Sequence, residues 1–157
     1  MIANRARVAI IGAVAALALG GATGCGGGGN GGGGEVTLKE MQDWKRDAKA
    51  SPGVAALEDV DENDLIADCS GTVRDLREDV ESVPAPPYKG SEWKDIRTRA
   101  VDTVEDFCTA LEDDPDLGKL AVVTARLEAV GEQMKQWVED ANAKFPGLNL
   151  KTGSDQP

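Results

Sequence analysis

From Glu35 onward, apolar residues recur every three or four positions, the spacing of one face of an α-helix. Leu38, Met41, Trp44 and Ala48 make the first stripe. Thr37-Leu38-Lys39-Glu40 before it reads as a capping box, in which hydroxyl and carboxylate satisfy orphan N–H groups reciprocally. Ser51-Pro52-Gly53 stops that helix, and Val54 to Val60 is a short connector. A second stripe, Leu65, Cys69, Val73, Leu76, Val80 and Val83, predicts a helix from about Glu62 to Val83. Gly71 inside it weakens the helix and suggests a close approach by a neighbour. The proline-rich run from Val83 to Gly90 makes a turn. Ser91 is the expected cap of a third helix with its face on Trp93, Ile96, Ala100, Val104, Phe107 and Leu111.

Asp114 and Pro115, a favoured cap and first-position pair, open a fourth helix. Its stripe is Leu120, Val123, Leu127, Val130, Met134, Val138 and Ala141. Trp137 stands beside that stripe, so it is the tryptophan most open to exposure, although packing on the first helix is the favoured placement. Phe145-Pro146-Gly147 ends the helix, and residues 148–157 read as a flexible polar tail. The pattern predicts an all-α fold: a small antiparallel bundle over 35–147, with three long helices and a shorter N-terminal one.

The cysteines test that arrangement. In an antiparallel hairpin, residues at one height share a midpoint in sequence. Cys69 with Cys108, Val73 with Val104, and Leu76 with Val101 all centre beside Tyr88, within the proline turn. A structural disulfide between Cys69 and Cys108 is therefore expected, adding about 4 kcal/mol in the chain-entropy model. Redox pairs are usually close in sequence, as Cys-x-x-Cys, and these two are far apart.

Residues 1–34 have a different character. Arg5 and Arg7 precede an apolar run from Val8 to Leu19, the order of a secretory signal peptide, and the run is shorter than the ~20 residues that span a bilayer. The segment closes on Ala22-Thr23-Gly24-Cys25. That closing sequence resembles the lipobox of bacterial lipoproteins, with Ala22 where leucine is usual. The resemblance implies cleavage after Gly24, removing residues 1–24, and diacylglycerol transfer to the Cys25 thiol. The mature chain would then be held at the membrane through Cys25 without spanning it, since two or more acyl chains give a stable anchor. Gly26 to Gly34, all glycine except Asn30, forms with Cys25 a flexible tether of about 15–18 Å typical reach.

Charge narrows the partners. The chain has 17 basic and 28 acidic residues, and loss of residues 1–24 removes two of the former. The resulting strongly acidic surface repels phosphate backbones, so nucleic acid is not an expected partner.

Chemistry is sparse. The absence of histidine removes the commonest general base and metal ligand. Ser51, Ser70 and Ser91 stand at a helix start or within a helix, where capping and local hydrogen bonding account for them. Asp59-Val60-Asp61-Glu62-Asn63-Asp64 begins like a calcium-binding EF-hand loop, but Asp64 takes the place of the turn glycine and Ser70 that of the bidentate glutamate. Its acids suit the amino-terminal end of a helix instead. No catalytic residue, metal ligand or cofactor is assigned.

Two function classes follow. The first is a non-enzymatic lipoprotein on the extracytoplasmic face of the cell membrane, a helical interaction module binding or occluding an envelope or extracellular partner, with a protein of the cell envelope as the expected one. Its composition resembles lipoproteins of high-GC Gram-positive bacteria or of their phages, and a phage origin would imply superinfection exclusion. The second is a ligand-binding protein or enzyme with a carboxylate-based site. A concave apolar pocket with converging acids would favour the second class; a filled bundle with one apolar outer face favours the first.

Overall fold

The computed structural model describes residues 35–54, 68–112 and 117–151. The signal segment, Cys25 and its tether, the 59–64 acidic run, Leu65, the Asp114-Pro115 pair and residues 152–157 lie outside the described residues. The elements are α1 (Leu38–Lys49), α2 (Cys69–Ser82), α3 (Gly90–Glu112) and α4 (Leu117–Lys144), and there is no strand among the described residues. The fold is all-α.

The capping box forms as read. Glu40 N donates to Thr37 Oγ1 at 3.3 Å, and Thr37 N donates to Glu40 Oε2 at 2.8 Å. Thr37 N and Thr37 Oγ1 both donate to the Glu40 carboxylate and hold it below its ordinary range. Met41, Trp44 and Ala48 are buried, so the 3.6-residue period alone located the inner face of α1. Beyond α1, Gly53 lies against the last turn of α2, where a Cβ would collide with the Asp79 carbonyl and the Ser82 hydroxyl.

Three helix details depart from the sequence reading. First, α2 begins at Cys69, not near Glu62: Asp68 has non-helical backbone angles, and its carboxylate accepts from Gly71 N at 3.0 Å. The same contact explains Gly71. A Cβ there would strike the Asp68 carboxylate, so glycine makes room for the cap and not for a neighbouring helix. Second, α3 is entered through Lys89, which takes a positive φ of 47° and whose carbonyl accepts from Trp93 N at 3.0 Å. Ser91 is therefore inside the first turn of α3. Third, Leu111 is 40% exposed, although it continues the α3 stripe.

Helix α3 packs against both α2 and α4. Contact positions fall along α3 as they rise along α2: Cys69 meets Cys108, and Arg77 donates to Asp102 Oδ1 at 2.9 Å and Glu105 Oε2 at 2.7 Å. Arg126 of α4 pairs with Asp106 of α3 at 3.1 Å. Cys69 and Cys108 are both buried, at bonding distance with Cα atoms 5.5 Å apart.

The two long stripes hold. Cys69, Val73, Leu76, Val80 and Val83 are buried beside Trp93, Ile96, Ala100, Val104 and Phe107, and α4 contributes Val123, Leu127, Val130, Met134, Val138 and Ala141. Trp137 is 1% exposed, and its ring meets Trp44 of α1 at 6.0 Å; packing on the first helix is its observed placement. Trp44 also meets Trp93 edge-on at 5.9 Å and donates Nε1 to the Pro84 carbonyl at 2.8 Å.

The start of the expected tail is docked. Gly147 turns the chain with φ 96°, and Leu148 and Leu150 are buried. Leu150 N and O bond the Asn142 side chain, each at 2.9 Å, and Lys45 Nζ donates to the Leu148 and Asn149 carbonyls, also at 2.9 Å. A polar look in sequence concealed two leucines that a single turn returns to the core.

Replacing Cys69 and Cys108 together by alanine is expected to lower the unfolding free energy by about 2–4 kcal/mol while helix content at low temperature is unchanged. Alkylation of both thiols in the native protein would reject the bridge.

Candidate interaction surface

Carboxylate chemistry was one of the two expectations, and the acids of α2 are its best test. Asp79 has a carboxyl pushed above its ordinary value, first by desolvation and then by the neighbouring charges of Glu78 and Asp75. Glu78 and Asp75 are exposed, so this is one crowded carboxylate on a solvated helix. Several other described acids are tied to cations: Asp43 by Lys39 and Arg46, Asp140 and Glu92 by Lys89, and Glu35 by Lys144. Among the described residues, no group of three or more His, Cys, Asp or Glu side chains is placed to hold a metal ion. The EF-hand-like run lies outside them.

The outer side of α4 is different in kind. Helical period puts Gly118, Ala121, Val122, Ala125 and Ala129 on one side, and all five are exposed. At 1.5 Å per residue they run for about 17 Å without a charged side chain at any of these positions. Val122, at 54% exposure, is the most exposed large apolar residue described. The outer faces of α2 and α3 instead carry Arg74, Asp75, Glu78 and Glu81, and Lys94, Asp95, Asp102 and Glu105.

Beside this strip an open groove of about 430 Å³ runs between the end of α3 and the start of α4. Thr109 and Ala110 form one wall, Val122 and Val123 the other, and Lys119 lies at its rim. Asp106 and Arg126 bridge it at 3.1 Å with both side chains more than half exposed, so the pair contributes little to stability. Half-exposed Leu111 is the next residue after Ala110. The arrangement can bury apolar surface against another protein and has no evident reacting group. Among the described residues, no helix is long and apolar enough to cross a membrane.

Sequence reading missed one charged core residue. Arg97 is 2% exposed, with its Cζ 4.1 Å from the centre of the Trp93 ring. The available signal was the four-residue spacing from Trp93, which puts both on one face of α3. Burial lowers its pKa to about 10, so it stays cationic at neutral pH. Gln133 Oε1 and Trp137 Nε1 are also buried without a hydrogen-bond partner.

The raised Asp79 carboxyl gives a signed pH effect. The folded chain holds that proton more tightly than the unfolded chain, so this group's contribution to stability falls as pH rises through its folded pKa. Asp79→Asn is expected to raise the melting temperature at pH 7 and to leave it nearly unchanged at pH 3. Thermal melts at the two pH values decide it; equal shifts at both would show that the charge is not responsible.

No protein-family model matches the chain, and neither curated proteins nor solved structures show a similarity to it.

Proposed function

We propose that this protein is a membrane-anchored lipoprotein of the extracytoplasmic face, an antiparallel helical bundle that binds or occludes a protein of the cell envelope and catalyses no reaction. The observation that carries the binding role is the uncharged outer strip of α4 with its adjoining groove, on a surface otherwise dense in charge. Uncharged, small side chains let a partner's backbone come close with little desolvation cost, and exposed Val122 offers apolar area at the strip's edge. The net acidity of the remainder discourages nucleic acid and anionic surfaces from competing for it.

The anchor reading rests on residues 1–34. A lipid at Cys25 and a glycine tether place the bundle within a few nanometres of the membrane, where a partner fixed there sees a high effective concentration. Helical packing around three tryptophans supplies a rigid body to present the strip.

The test uses intact cells and a photo-reactive residue placed at Val122, Ala125 or, as control, Arg74. The expected result is a discrete protein adduct from positions 122 and 125 and none from 74, with Ala125→Glu suppressing the adduct at 122. Cys25→Ser is expected to release the bundle from the membrane or leave the precursor unprocessed, and to abolish the adduct. Membrane retention of a mature-length Cys25→Ser product would sink the anchor; equal adducts from all three positions would sink the strip.

A further inference from the structure

We propose that Arg97 holds a small monovalent anion, a halide or short carboxylate, between its Nε–H and Nη2–H groups inside the bundle. The two atoms are buried and meet no hydrogen-bond acceptor. They also form one edge of the guanidinium, the edge whose parallel N–H bonds grip carboxylates side-on. One face of the same plane is covered by the Trp93 ring at 4.1 Å. Stacking holds the guanidinium in place without satisfying its donors, because the ring accepts through its face and the N–H bonds lie in the guanidinium plane.

Several described acids on α3 and α4 are held by other cations. Asp102 and Glu105, five and eight residues along α3 from Arg97, both bond Arg77 of α2. Asp106 bonds Arg126, and Glu92 and Asp140 bond Lys89. Burial is the one cause that perturbs Arg97, with no carboxylate raising it in opposition. A cation left unpaired in a core is strongly destabilising, whereas two charge-assisted hydrogen bonds to an anion compensate it. Close burial restricts the ligand to a few atoms. This site is independent of the α4 strip and of the membrane anchor.

The experiment measures the denaturation midpoint of the native bundle at constant ionic strength while gluconate, too large for the site, is replaced by chloride, bromide or acetate. A saturable rise of the midpoint is expected, since an ion that binds the folded state alone stabilises it by mass action. Chloride and acetate arms distinguish a halide from a carboxylate. Iodide titration should add a saturable component to tryptophan quenching, because Trp93 lies against the guanidinium. Arg97→Met should remove both effects. Trp93→Phe should keep the anion-dependent midpoint and lose the saturable quenching, which locates the ion even if Arg97→Met does not fold. A native protein whose midpoint and quenching are indifferent to the anion would overturn the proposal. So would saturable effects that persist in Arg97→Met, or saturable quenching that persists in Trp93→Phe.

Discussion

The Trp44 indole is where the pieces of this bundle meet. Its ring stands edge-on to Trp93 of α3 and near edge-on to Trp137 of α4, and its Nε1–H is bonded to the Pro84 carbonyl in the turn that follows α2. Edge-to-face contacts of this kind contribute about 0.5–1.5 kcal/mol each beyond the area they bury. The direction of the Pro84 bond fixes the rotation of α1 about its own axis, so Met41 and Ala48 enter the core together. With only 12 residues, α1 would be marginal alone; tertiary packing on Trp44 makes it a helix. Lys45, the next residue, then reaches the Leu148 and Asn149 carbonyls and ties the segment after α4 to α1.

The remote end of the α2–α3 pair is secured by other means. Cys69 is the first residue of α2, and its link to Cys108 sits beyond the reach of the tryptophans. The bundle is thus pinned at one end by aromatic packing and at the other by a covalent bond. The α4 strip and groove lie toward the covalently pinned end, where α3 finishes and α4 starts. The strip itself is on α4, which packs along α3, the helix that Cys108 links to α2.

Buried charge is the exception to this apolar economy. Arg97 replaces what would be one more aliphatic side chain between Ile96 and Ala100, and Trp93 alone of the aromatics faces it. Leucine or methionine at that position would bring no unsatisfied donor of its own. The guanidinium is therefore the residue whose presence packing does not explain, and the proposed anion would account for it.

Much of the fold was legible because helical period is a local property. Met41, Val73, Leu76, Val104, Leu127 and Met134 reveal their burial by spacing alone, and the Thr37–Glu40 cap needs four consecutive residues and nothing else. The cysteine pair was also readable, since a short turn between two helices fixes which heights coincide. What needed the tertiary structure depends on groups distant in sequence or on one unusual dihedral. Gly147 and its left-handed backbone send Leu148 and Leu150 inward, which no stripe records. The burial of Trp137 depends on where α1 lies, and the exposure of Leu111 on where cover ends. Period marks Arg97 as near the core of α3, but charge argues that it stays outside; only three-dimensional packing decides between them. The sequence by itself determined the helices and their inner faces, because each is written in residues three and four apart. The tertiary structure decided the cover of each face and the isolation of the buried cation, because both are set by surfaces that meet only after the chain has folded.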